Sequence, residues 1–234
     1  MSQDKGFPPW AWVGCGCVGA IVALVAIAVG LGFWGVNKAR EFGESMKDPE
    51  QRTERALSAL GASELPDGYH AVVAFSVPFV FDFAMLSDEP PKEDGEPSMG
   101  EHGFIFVSYP AVGEGDEQLY DFFEGRSEDI HSLRRENMDL DLDERLDRGL
   151  LERDTDDILW VTHRGRVSTD QVDHSHDGLV TLTLFKCDDD RRRLGVWFGP
   201  DPSPESSAED LDLRGTVGDP AEIRAFMAAM EPCF

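Results

Sequence analysis

"GLVTLTLFKCDDDRRRLGVWFG", residues 178–199, decides how this chain folds. Two runs rich in Val, Leu, Thr, Phe and Trp flank Cys187–Arg193, where six of seven residues are charged. Such residues suit strands, and the charged cluster suits an exposed turn between them. Two strands joined this tightly pair antiparallel. Moving outward, "DILWVTHRGRV" (157–167), "GFIFVSY" (103–109), "YHAVVAFSV" (69–77) and "FVFDFAML" (79–86) carry the same signal. In the last of these, Phe79, Phe81, Phe83 and Met85 fall on one face of a period-2 strand.

Helices bracket the strands. Asp48-Pro49-Glu50 is an N-cap followed by Pro at the first helical position. Thr53, Ala56, Leu57 and Leu60 then form a stripe, and Gly61 suits the C′ position. Asp219-Pro220 opens a second helix with Glu222 three residues on, a capping-box pattern. Its stripe is Ile223, Phe226, Met227 and Met230, with Pro232 as the stop. "GDEQLYDFFEG" (115–125) reads as a short helix with Leu119, Phe122 and Phe123 inward, and "SEDIHSLRRENM" (127–138) as a candidate for another. The fold expected is α+β: a mostly antiparallel sheet packed with N- and C-terminal helices, the helices covering one face. Residues 87–102 and 200–212, rich in Pro, Asp, Glu and Ser, read as exposed loops.

Ahead of this domain, Val13–Phe33 holds 21 residues without a charge. As a helix it measures about 31 Å, the thickness of a bilayer's hydrocarbon core. Trp10 and Trp12 at one end, and Phe33 and Trp34 at the other, suit the two interfaces. The expected organisation is a tail over 1–9, a transmembrane helix over 10–35, a linker over 36–47 and an acidic domain over 48–234. Ala26-Ile27-Ala28 has the form of a cleavage box, but the apolar run continues past it, so an uncleaved anchor is expected. Cys15 and Cys17 act there as small apolar residues. Gly16/Ala20, Gly19/Ala23, Ala26/Gly30 and Ala28/Gly32 are spaced to let a second helix approach, which suits a protein partner or a homodimer. The lipid bilayer is the expected partner of residues 13–33. Lys38, Arg40, Lys47, Arg52 and Arg55 follow the span and only Lys5 precedes it, which points to the cytoplasmic side for the domain; Arg52 and Arg55 also fall in its first expected helix, so the periplasmic side is the alternative.

The anchor followed by "DPEQRTERALSALGASELPDGY" (48–69) resembles uncharacterised bacterial single-span, membrane-anchored domains. These have a short helix starting near Asp-Pro-Glu and a Leu-Pro-x-Gly-Tyr turn into a strand, here Leu65, Pro66, Asp67, Gly68 and Tyr69. The resemblance covers residues 10–80 and implies a bacterial inner-membrane protein. It implies no activity.

The formal net charge is −25, all of it after Lys5. Such a surface repels phosphate backbones, which excludes nucleic acid as a partner. Cys187 and Cys233 have no spacing partner for a zinc site. They could pair with each other, and two buried thiols is the reading adopted.

"VDHSHDG" (172–178) is the one constellation with metal-ligand chemistry, through Asp173, His174 and His176. Asp177-Gly178 is also a strong turn signal, so these residues are expected at a solvated hairpin tip with no third ligand nearby. "DLDLDE" (139–144) lacks the Gly and Glu of a calcium loop, because Glu144 and Leu150 stand at those positions. Its alternation suits an edge strand. No P-loop, dinucleotide fingerprint or nucleophile elbow is present. The expected function is a membrane-tethered, non-enzymatic binding domain without a cofactor. The alternatives are a membrane-anchored hydrolase or metal enzyme using the histidines, and an accessory subunit acting through its span.

Overall fold

Asp48 fixes where the first helix begins. Its carboxylate accepts the Glu50 N–H at 3.0 Å and a bond from the Gln51 side chain at 2.9 Å. Helix α1, Pro49–Leu60, ends at Gly61, whose φ of 62° closes the last turn onto Leu57 O. Ala56 and Leu60 are buried as expected, but the inward face also carries Arg52, which is fully buried. Its Nη1 donates to Gly95 O at 2.9 Å and so pins the 88–102 loop. Burial pulls the Arg52 pKa below its ordinary value, and Asp48 acts against this.

The computed structural model describes residues 48–92, 95–111, 115–127, 138–169 and 174–233. The expected span over 13–33 and the linker over 36–47 lie outside these, as does all but the ends of the candidate helix over 127–138. Among the described residues no helix is long and apolar enough to cross a membrane.

Seven strands follow α1: β1 His70–Val77, β2 Phe81–Ser87, β3 Gly103–Pro110, β4 Met138–Leu151, β5 Asp157–Thr169, β6 His174–Lys186 and β7 Arg191–Gly199. They form one sheet in the order β1-β2-β3-β7-β6-β5-β4, antiparallel throughout. The opening stretch is the β6–β7 hairpin, with Phe185 opposite Arg193 and the charged residues in its turn. Helix α2, Gly115–Phe123, comes between β3 and β4, and α3, Pro220–Met227, closes the chain.

The helices do not share one face, which corrects the sequence expectation. Ala56 and Leu60 of α1 and Ile223, Phe226 and Met227 of α3 pack with Phe104, Phe106 and Trp197 on one side of the sheet. Leu119, Phe122 and Phe123 of α2 pack with Ile105, Val180 and Phe198 on the other. A sheet covered on both faces needs apolar residues at consecutive positions. That accounts for "FIF" at 104–106 and "VWF" at 196–198.

Two details of the end helices differ from their sequence signals. In α3 the Asp219 carboxylate accepts the Ala221 N–H at 2.8 Å, but the Asp219 N–H donates to Thr216 O at 3.0 Å. The donor Glu222 would have accepted is already used, so the reciprocal capping box is absent. The helix also stops at Met227, ahead of Pro232. Its last carbonyl, Met227 O, accepts from Arg153 at 2.8 Å and from the Met230 N–H, and Arg153 also donates to Met230 O, beyond the helix, at 2.8 Å.

Candidate functional site

His176, Asp177 and Gly178 lie within strand β6 rather than in a turn, which corrects that part of the hairpin-tip expectation. Thr169 faces His174, Val167 faces His176 and Gly165 faces Gly178, so β6 runs straight through Asp177-Gly178. The strand wins over the turn signal because the β5–β6 ladder continues unbroken past these positions, and Arg166 Nε donates to Asp177 Oδ1 across it at 2.6 Å. Gly178, lacking a side chain, also admits Gly199 O and the His176 ring. His176 is half-buried, with its ring 5.3 Å from that of Phe198. Its Nε2 is buried without a hydrogen-bond partner among the described residues. Asp173 and the side chain of His174 lie outside the described residues. Among those described, His176 meets no second and third metal ligand.

The three donors that do converge are Asp156, Cys187 and Cys233. The two cysteines form a disulfide, which corrects the expectation of two reduced thiols. It arises because Cys187 leaves the end of β6 where the segment after α3 returns to the sheet. Asp156 is committed as well. Arg153 donates to its Oδ1 from Nε at 2.9 Å and also from Nη2, and Thr155 Oγ1 donates at 2.8 Å. Cys233 Sγ lies 3.3 Å from Asp156 Oδ2, a contact only, since a disulfide sulfur carries no proton. With its sulfurs bonded to each other and its carboxylate facing a guanidinium, the cluster is a structural clamp rather than a cation site.

At the end of the sheet where β1 begins, His102 Nδ1 lies 2.9 Å from Asp88 Oδ2, both side chains half-buried. Asp88 Oδ1 is buried with no partner among the described residues. An oriented imidazole of this kind has the geometry of a general base. Beside it, Trp197 Nε1 donates to the Tyr69 hydroxyl at 2.8 Å. Burial, more than the nearby Asp88 charge, pushes the Tyr69 pKa up to about 12, against that hydrogen bond. No nucleophile bonds to His102 among the described residues. The sequence reading left His102 without a role, because its partner is 14 residues away and joined to it by a loop.

The opposite end of β1 carries an exposed apolar turn. Val77 faces Phe81 across a turn closed by the Val80 N–H on Val77 O at 2.9 Å. Pro78 occupies the second position and Phe79 the third, with φ of 65°. That position normally takes Gly or Asn, and a bulky residue there is strained. Phe79 therefore lies outside the strand and off the face expected for it, while Phe81, Phe83 and Met85 remain in β2. Phe79 is 93% exposed, and Val80 beside it is 52% exposed. At the base, Phe75 contacts Phe81 edge-on and stacks on Phe83. The sequence signal was available: an apolar residue follows Pro where a turn wants Gly.

No protein family matches the chain, and neither a curated protein nor a solved structure does.

Proposed function

We propose that this chain is a membrane-tethered binding domain, anchored by residues 13–33, that docks through the β1–β2 hairpin tip. One observation carries the reading: a strained, almost fully exposed Phe79 between Pro78 and Val80. The strain opposes folding and the exposed ring gains nothing from it, so a tip that combines them points to a use outside the fold.

We further propose the extracytoplasmic side for the domain. The Cys187–Cys233 disulfide supports it, since such bonds persist in oxidising compartments. Arg52, counted above among the charges after the span, is a core residue and drops out of that count. Domains of this length also cross membranes largely regardless of charge. Protease added outside the inner membrane is expected to digest residues 48–234; full protection would reverse the orientation.

The Asp88–His102 pair favours a second reading, a membrane-anchored hydrolase or metal enzyme. Replacement of the chain in its native host separates the two. Under the docking reading, Phe79→Asp reproduces deletion of the chain and His102→Ala does not. The reverse outcome would move the enzyme reading first.

A further inference from the structure

We infer that the β1–β2 tip inserts Phe79 and Val80 into the lipid–water interface of the bilayer that holds the chain's own apolar segment. The inference rests on the tethered docking reading above and names the partner of that same surface.

Size selects a bilayer over a protein. A stable protein–protein interface buries roughly 800 Å² on each partner, from about 20–30 residues. The most exposed apolar residues here are Val77, Phe79 and Val80 on a tight turn, with the half-buried Phe75, Phe81 and Phe83 at its base, far fewer residues than such an interface uses. A bilayer needs no complementary surface, and a protruding apolar tip can enter it alone. The tip is also set in advance. Pro78 fixes its own φ, and the turn is closed by the Val80 N–H, so little order remains to be imposed on insertion.

A polar collar limits the depth. Asp82, one residue past the tip, accepts from Arg191 Nη2 at 2.7 Å and from Ser76 Oγ. Arg191 Nε also donates to Ser108 Oγ at 3.0 Å. The charges nearest the tip are thus paired at the level of the headgroups rather than carried into the hydrocarbon. The domain's net negative charge disfavours broad contact with anionic lipid, which leaves the tip as the point of contact.

The tether makes a weak contact sufficient. With residues 13–33 in the bilayer, the 14 residues of 34–47, at most roughly 50 Å when extended, limit how far the start of the domain can move from it. Insertion is then intramolecular and acts at high effective concentration. Asp88 and His102 lie at the far end of β1 and β2 from the tip and are turned toward water.

The test is site-specific photocrosslinking of the full chain reconstituted in phosphatidylcholine vesicles. A benzophenone side chain replaces Phe79, or in separate samples Leu24 within the apolar segment or Asp67 at the far end of β1, and adducts are read by mass. Lipid adducts are expected at 79 and 24, with less than a tenth of that yield at 67. With the probe at 80, Phe79→Asp is expected to lower the lipid adduct at least tenfold. Lipid at 24 but none at 79 overturns the insertion and leaves the tether standing. Chain-to-chain adducts at 79 in place of lipid overturn it in favour of a second copy. Absence of lipid at 24 overturns the tether, and the inference with it.

Discussion

Phe226 shows what one residue contributes to the first core. Its ring stacks on Trp197 at 4.3 Å and meets Tyr69 and Phe104 edge-on at 4.8 and 5.1 Å. Phe226→Ala removes the centre of this cluster and is expected to cost roughly 3–5 kcal/mol in chemical denaturation. A cost below about 0.5 kcal/mol would take α3 out of the core. Tyr69, in the same cluster, sets a pH limit. Its folded pKa of about 12 lies above the ordinary value of 10.0. The unfolded chain therefore loses this proton first. The stability tied to neutral Tyr69 is complete below pH 10 and is lost between about pH 10 and 12. Denaturation midpoints measured across that window are expected to fall in the parent chain, and to fall less steeply in Tyr69→Phe.

At the scale of elements, the two end helices are held by the same device, an aspartate N-cap followed by proline. Asp219 takes the Gly215 and Ala221 N–H groups, and these bonds hold its pKa below the ordinary carboxylate value. Asp219→Ala is expected to cost about 1 kcal/mol through the lost cap. Because the folded pKa is lowered, that contribution is present above about pH 4 and disappears as the pH falls through the folded value. Urea midpoints for parent and variant should therefore differ at pH 7 and converge in acid. A gap unchanged by acid would mean that the side chain acts by packing. Strand β4 shows a different form of control. It is an edge strand, as its alternating acids suggested, and Asp141, Asp143, Glu144, Arg145, Asp147 and Arg148 are exposed along it. Register shifts on either side of Arg145 interrupt the ladder as well. Charge and irregular pairing both keep an open edge from adding further strands.

For the molecule as a whole, the Cys187–Cys233 bond ties the end of the chain to the sheet across 46 residues. Closing a loop of that length removes unfolded-state entropy worth about 4 kcal/mol in the chain-entropy treatment. Reduction is expected to lower unfolding stability by roughly 2–4 kcal/mol. The measurement is denaturation with and without reductant, with Cys187→Ser/Cys233→Ser as the reductant-insensitive reference. A parent chain indifferent to reductant would show that the clamp depends on Arg153 and Asp156 instead. The 200–212 loop is held in a similar cross-chain way. Arg164 reaches Asp201 at 2.7 Å, Ser206 O at 2.6 Å and Ser203 O at 3.1 Å.

Local chemistry by itself determined the helix starts at Asp48 and Asp219, the inward faces of α2 and α3, the strand runs and the edge character of 139–144. Caps and periodicities act within a few residues, so they are readable along the chain. The apolar segment over 13–33 and its tether role remain a reading of sequence. Only the tertiary structure decided that both faces of the sheet are covered, because covering depends on where α2 lands after β3. Only it paired Cys187 with Cys233, joined Asp88 to His102 and buried Arg52, since each rests on partners brought together by folding. It likewise decided against the Asp177-Gly178 turn. A dipeptide's turn preference is weaker than thirteen paired positions of β5 and β6, so the strand runs on and His176 packs against Phe198. Phe79 lies between the two cases. Pro78 separates two strand runs in the sequence, but only the closed turn, with its positive φ, turned an apparent strand-face phenylalanine out to solvent.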